Sequence, residues 1–77
     1  MTLTELAPGE TARIEAIDTS DLAVQRLMVL GLIEGVEMTF VRSSIGGDPL
    51  EFRYCGTSIS LRREQALRFS VVPVTGS

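Results

Sequence analysis

The hydrophobic pattern changes period partway along the chain. From Val36 it runs at every second position. Val36, Met38 and Phe40 are separated by Glu37 and Thr39, and Val41 follows, which predicts a half-buried strand. Leu50, Phe52 and Tyr54 repeat the alternation and predict another strand, with Glu51, Arg53 and Cys55 on its opposite face. Between the two lies Ser43-Ser44-Ile45-Gly46-Gly47-Asp48-Pro49, a loop whose glycines permit positive φ. Gly56-Thr57 reads as a tight reversal into a short strand with Ile59 and Leu61 on one face. Phe69 and Val71 mark a last strand, which Pro73 ends or holds at an edge. Upstream, Thr11–Ile17 alternates loosely and reads as the first strand.

Between Ile17 and Val36 the spacing is helical. Asp18-Thr19-Ser20-Asp21 supplies caps and an acidic first turn, and the helix runs to about Leu30, where Gly31 ends it in a left-handed conformation. Ala23, Leu27 and Leu30 share one face with Val24 beside it. Gln25 and Arg26 lie on the other side, flanked by Leu22 and Val29, so the apolar stripe is wider than one core face needs. Leu22 and Val29 are then either scattered surface apolars or part of a contact patch. Arg62–Ala66 is long enough for one helical or 3₁₀ turn, and the tail Val74–Ser77 is expected to fray. Strand, helix, then four short strands describe a mainly β chain. Closure removes exposed edges, so the expectation is a small SH3-like five-stranded barrel with one inserted α-helix at about residues 20–30 and a short helical turn near 62–66. Residues 1–77 form a single domain on this reading.

Composition narrows the chemistry. The net charge is −3, and all seven cations are arginines: Arg13, Arg26, Arg42, Arg53, Arg62, Arg63 and Arg68. Neither lysine nor histidine is present. That excludes an ordinary imidazole base, Ser–His and Cys–His nucleophile pairs, Schiff-base chemistry and a Walker-type lysine. No enzymatic activity and no cofactor are expected. The acidic balance argues against nucleic acid as a partner, because phosphate contacts need a basic face. Residues 1–40 carry seven acids and two arginines, and residues 41–77 carry three acids and five arginines. Strands from the two halves would interleave in a barrel, so this asymmetry predicts no surface patch by itself.

The longest apolar stretch, Leu27–Ile33, is far short of the roughly 20 residues of a membrane span. The opening MTLTELAPGE has neither a basic nor an apolar signal region. Cys55 is the one cysteine, so neither an internal disulfide nor a CxxC site can form, and the expected compartment is reducing cytoplasm. A lone cysteine of this kind is expected to be a small buried packing residue. With no imidazole, this chain offers a metal ion only carboxylates and one thiol. No dedicated metal site is expected, and metal held at Cys55 or at surface carboxylates would be adventitious.

The punctuation carries a resemblance. Leu3-x-x-Leu6-x-x-Gly9-Glu10, Ile14-x-x-Ile17 and Arg26-Leu27-x-x-Leu30-Gly31-Leu32-x-x-Gly35 are followed by Gly47-Asp48-Pro49, Gly56-x-x-Ile59-x-Leu61-Arg62-x-x-x-Ala66 and Phe69-x-Val71. In combination this resembles the FeoA family, the small cytoplasmic proteins of bacterial ferrous iron transport, over nearly the whole chain. The pieces also have plain structural readings. Leu30-Gly31-Leu32 is a helix end, and Gly47-Asp48-Pro49 is a loop in which Asp48 forms an Asx turn and Pro49 starts an edge strand.

The resemblance implies a cytoplasmic partner of a FeoB-type permease, a membrane protein with a cytosolic GTPase domain, with peripheral placement at the inner membrane through that partner. Self-association would be weak. The contact surface is expected at the helix and its corner, Leu22, Arg26, Val29 and Leu32, together with Ile45 and Arg62. Arg26 is otherwise a solvated helix residue pairing with Asp21 or Glu34, and Arg62 with Arg63 is either a solvated pair or a small basic contact point. Two other functions compete. SH3-like modules resembling this one occur at the C-terminus of iron- or manganese-dependent repressors, which also need a helix-turn-helix domain. An arginine finger supplied in trans, Arg26 or Arg62, would instead stimulate a partner's GTP hydrolysis.

Overall fold

A computed structural model describes residues 1–74. The period-two runs become five antiparallel strands: β1 (Thr11–Ile17), β2 (Glu37–Ser43), β3 (Leu50–Tyr54), β4 (Thr57–Leu61) and β5 (Phe69–Pro73). Helix α1 (Leu22–Val29) is inserted between β1 and β2, and the single turn α2 (Arg63–Ala66) joins β4 to β5. The strands form one sheet in the order β4-β3-β2-β1-β5. This is the expected mainly β, SH3-like arrangement, with one difference: β4 and β5 stand at opposite ends of the order and do not pair, so the sheet bends without closing. Two bulges bend it. Glu15 is the extra residue between the pairs Ile14–Val71 and Ala16–Ser70, and Val41 is the extra residue between Phe40–Phe52 and Arg42–Glu51. The loose alternation of β1 is this bulge. Ala12 and Ile14 point inward, and Ile17 rather than Ala16 returns to the core side.

The concave face carries Ala12, Ile14, Met38, Phe40, Leu50, Phe52, Leu61, Phe69 and Val71, all buried. Phe40 and Phe52 face each other across β2 and β3 with ring centroids 5.5 Å apart and planes tilted by 50°. Val24 and Leu32 cover this face from the α1 side, and Ala66 reaches it from α2. Leu3 and Leu6 reach it from a 3₁₀ turn at Leu3–Glu5 that the hydrophobic pattern did not indicate. That turn is fixed by Thr2, whose N–H donates to the Glu5 carboxylate (2.6 Å) while its hydroxyl accepts from the Thr4 N–H (3.3 Å).

Helix α1 starts one residue after Asp21, whose carboxylate accepts the Ala23 N–H (2.8 Å). It ends in a Schellman arrangement. The Gly31 N–H donates to Met28 (3.0 Å), the Leu32 N–H donates to Leu27 (3.1 Å), and Gly31 takes φ +113°. The reversal at Gly31 corrects the expected helical face. Leu30 is exposed and Leu32 is fully buried, because the stripe does not continue past the cap.

The turn between β3 and β4 is displaced from its expected position. Tyr54 pairs with Thr57, so the loop is Cys55-Gly56, and both residues have positive φ (50° and 76°). Cys55 is therefore a turn residue. It neither lies on a strand face with Glu51 and Arg53 nor packs inside, and its side chain is exposed. A two-residue hairpin of this kind favours Asn-Gly. Holding a non-glycine, non-asparagine residue there costs on the order of 1 kcal/mol. Cys55→Asn is expected to raise the melting temperature by about 4–8 °C in thermal denaturation, and Cys55→Val is expected to lower it.

Pro49 does not begin an edge strand, since β3 lies between β2 and β4. It follows a cis Asp48–Pro49 bond, and its carbonyl accepts the Ser44 N–H (3.0 Å). Of the tail expected to fray, Val74 is held, its N–H donating to Thr11 (2.9 Å). Residues 75–77 lie outside the described residues.

Candidate docking surface

Placement of the expected contact residues follows from how α1 is anchored. Val24 is its buried residue, with Leu27 partly buried against the core. The Tyr54 hydroxyl donates to the Leu30 carbonyl (3.2 Å), which ties the end of α1 to the end of β3. With that face turned inward, Leu22, Arg26 and Val29 project outward at i, i+4 and i+7, the spacing by which a helix presents anchors to a groove. Val29 is 86% exposed and Leu22 69% exposed, and Leu30 and Ile33 extend the apolar surface around the helix end. Arg26 is the one charged residue of α1. Among the described residues it forms no ion pair with Asp21 or Glu34, because the ion pairs found are Arg42–Glu51, Arg62–Asp48 and Arg68–Asp18.

The remaining expected residues fall elsewhere. Leu32 is 0% exposed and offers nothing to a partner. Ile45 stands fully exposed on the β2–β3 loop, at the end of β3 opposite to Tyr54 and α1. Arg62 is beside that loop, with Nη1 3.8 Å from the Asp48 carboxylate. Arg63 is a strut rather than a contact point. Its guanidinium donates twice to the Gly47 carbonyl (2.9 and 3.3 Å), and its backbone N–H donates to Asp48 Oδ1 (2.9 Å). Asp48 thus caps a helical turn fifteen residues away instead of forming a local Asx turn. The six residues therefore separate into a helix face, a loop end and the core.

Asp18 anchors the approach to α1. Its Oδ1 accepts the Ser20 hydroxyl (2.7 Å) and the Ser20 N–H (3.1 Å), and its Oδ2 accepts Arg68 Nη1 (2.6 Å). The Ser20 bonds foremost, then Arg68, hold this carboxyl at about 2 against an ordinary 3.8. A carboxyl depressed on folding adds stability above its unfolded value and loses it as pH falls through the folded one. Stability is therefore expected to decline between pH 3.8 and about 2 in part through Asp18. Denaturant titrations should show a shallower decline over that window for Asp18→Asn. The pair is exposed, so the effect is modest.

Away from α1, Leu6, Glu10, Thr11, Glu37 and Pro73 line a shallow groove at the far end of the sheet that the sequence did not indicate. Among the described residues no three Cys, Asp or Glu side chains gather closely enough to hold a metal ion. No helix among them is long and apolar enough to cross a membrane.

A model of the FeoA domain matches residues 1–73. A fusion of Fe(2+) transport protein A with the Fe(2+) transporter FeoB in Porphyromonas gingivalis is 31% identical over 71 residues. These are 92% of this chain and 8% of that protein, so the chain spans less than a tenth of that curated relative. Among solved structures, the FeoA protein from Chlorobium tepidum superposes with a TM-score of 0.89 at 31% identity, over 100% of this chain and 73% of that one. The FeoA of Stenotrophomonas maltophilia, described as a procaryotic SH3 domain protein and solved with zinc, gives 0.81 at 33% identity over 94% and 89%. A manganese-dependent transcriptional repressor shares the fold over 36% of its length, with a TM-score of 0.85 at 16% identity.

Proposed function

The chain belongs to the FeoA family, and from that premise we propose that it is a small accessory protein of bacterial ferrous iron uptake that binds and modulates a FeoB-type GTPase permease. The observation that carries this reading is the fusion, in which a segment resembling 92% of this chain shares one polypeptide with a FeoB transporter. Covalent linkage holds two modules at a high effective concentration, which favours pairs that work in contact. The chain's chemistry suits a binder, since it has no histidine or lysine and its most exposed large apolar side chains among the described residues, Ile45, Val29 and Leu22, lie on the β2–β3 loop and α1. The protein acts in the cytoplasm as a single domain without a cofactor of its own, reaching the membrane surface through its partner. Leu22, Arg26 and Val29 form the principal contact, with Ile45 and Arg62 a separate, secondary one.

Titrating the chain with the cytosolic region of the FeoB-type permease from the same organism tests this. Binding in the micromolar range is expected, and no binding at high micromolar concentration overturns the proposal. GTP hydrolysis measured in the same mixtures with Arg26→Ala and Arg62→Ala resolves the arginine-finger version, which unchanged stimulated rates would remove. A second reading rests on the shared fold with the manganese-dependent repressor, as a module that regulates a DNA-binding neighbour in the same polypeptide. A winged-helix segment in the same reading frame would favour it over the transporter.

A further inference from the structure

Of the two edges of the sheet, one is closed by the chain itself. Along β5, the Val71 N–H donates to the Met1 carbonyl (2.8 Å), Thr2 bridges to Ser70, and Pro73 has no N–H to offer. Along β4, nothing among the described residues pairs on the outer side. The hairpin determines which groups point there. Its two-residue turn makes Tyr54–Thr57 a hydrogen-bonded pair, and alternation makes Phe52–Ile59 and Leu50–Leu61 hydrogen-bonded pairs as well. Thr57, Ile59 and Leu61 thus spend their backbone groups on β3. Ser58 and Ser60 turn theirs outward, and both residues are exposed. β4 contains no charge, no proline and no bulge, so it lacks the devices that usually blunt an edge.

We propose that β4 pairs antiparallel with β4 of a second copy of this chain, about a twofold axis at Ile59. The strand Thr57-Ser58-Ile59-Ser60-Leu61 is nearly the same read in either direction. In this register Ser58 meets Ser60 of the second copy, and Ser60 meets Ser58, as hydrogen-bonded pairs that use every outward donor and acceptor of β4. Ile59 meets its own counterpart in the non-hydrogen-bonded pair, where side chains approach most closely.

Charge favours the same occupant. Arg53 lies beside Ser58, and Glu51, which also pairs with Arg42, lies beside Ser60, so each row across the interface runs from Arg53 over two serines to Glu51 of the second copy. Unlike charges share a row, and the residues between them are small. A twofold pairing of α1 would instead set Arg26, midway between Leu22 and Val29, against its own copy. Because the β5 edge is already occupied, pairing through β4 stops at two copies rather than growing into a fibre. This inference does not depend on the transporter reading.

The test is amide hydrogen exchange together with sedimentation velocity on the full chain, from tens of micromolar to millimolar concentration. The Ser58 and Ser60 amides are expected to gain protection as the sedimentation coefficient rises. Ser60→Pro removes an outward donor without touching the β3 ladder and should weaken association about tenfold or more while the circular dichroism spectrum is kept. Should that variant fail to fold, the double change Ser58→Lys and Ser60→Lys, which places like charges opposite each other, gives the same readout. A chain that remains monomeric at millimolar concentration overturns the proposal. A dimer in which both serine amides still exchange freely, or one that both variants leave intact, does so equally.

Discussion

Phe52→Ala is expected to remove a large share of the domain's folding stability. The side chain is fully buried, faces Phe40 across β2 and β3, and sits opposite Ile59 of β4, so three of the five strands pack through it. Removing a buried phenylalanine costs about 3–5 kcal/mol, the lost transfer free energy plus the cavity left behind. At 0.05–0.15 kcal/mol per residue, a chain of 77 residues has roughly 4–12 kcal/mol to lose. The loss is thus a large share of the whole. Phe52→Leu retains most of the volume and should cost about 1.5 kcal/mol or less. Urea denaturation of the three proteins measures both differences. A Phe52→Ala loss below about 2 kcal/mol would show that the sheet closes around the vacated space, contrary to the packing described.

On the α1 surface the expected result is the opposite: binding lost with stability kept. Arg26→Glu combined with Val29→Glu places two carboxylates on a face whose one charge is a guanidinium and whose other groups are apolar apart from the neutral Gln25. Both side chains are exposed, so stability should change only as it does for ordinary surface substitutions, by about 0.5 kcal/mol or less. Truncating an interface anchor typically costs 2 kcal/mol or more, so affinity for the cytosolic region of the FeoB-type permease should fall about thirtyfold or further. Ile45→Glu, at the other end of β3, separates the two expected contact regions. If it abolishes binding and the α1 pair does not, the loop end is the docking surface and the helix face is not.

The two kinds of residue differ in how far the sequence reveals them. Met38, Phe40, Leu50 and Phe52 were legible because a strand on a core repeats every second residue, and the run Leu30-Gly31-Leu32 announced a helix end. Periodicity is a local signal, however, and it failed where geometry breaks it. At Glu15 and Val41 a bulge inserts a residue and the inward set shifts by one. At Gly31 the backbone turns left-handed, so Leu30 and Leu32 exchange inside for outside.

Leu3 and Leu6 escape the pattern for a related reason, since two leucines three apart in a ten-residue segment establish no period. The available signal was Thr2-x-x-Glu5, which fits a capping box. Alternation extends the face of Glu51 and Arg53 to Cys55, and the usual burial of a lone thiol argues for packing, yet neither holds, because the turn begins one residue earlier than Gly56 suggests. Asp48 capping α2 could not be read locally, because its partner lies fifteen residues away and is brought near only by the hairpin between them. The contact surface is harder still. On α1 the helical period separates Leu22, Arg26 and Val29 from Val24 and Leu27, but a period carries no information about what meets the exposed side.

The bond from Val71 to the Met1 carbonyl, with that from Val74 to Thr11, has a consequence for attachment. It brings the opening residues of the domain beside its last strand, so a longer polypeptide joined before Met1 or after β5 departs from one neighbourhood. Such a module hangs from its neighbour as from a single pivot, able to swivel without shearing its own sheet. In a tethered arrangement like the Porphyromonas gingivalis fusion, the reach of such a domain would then be set by the length of the connecting segment and the direction in which it leaves that pivot.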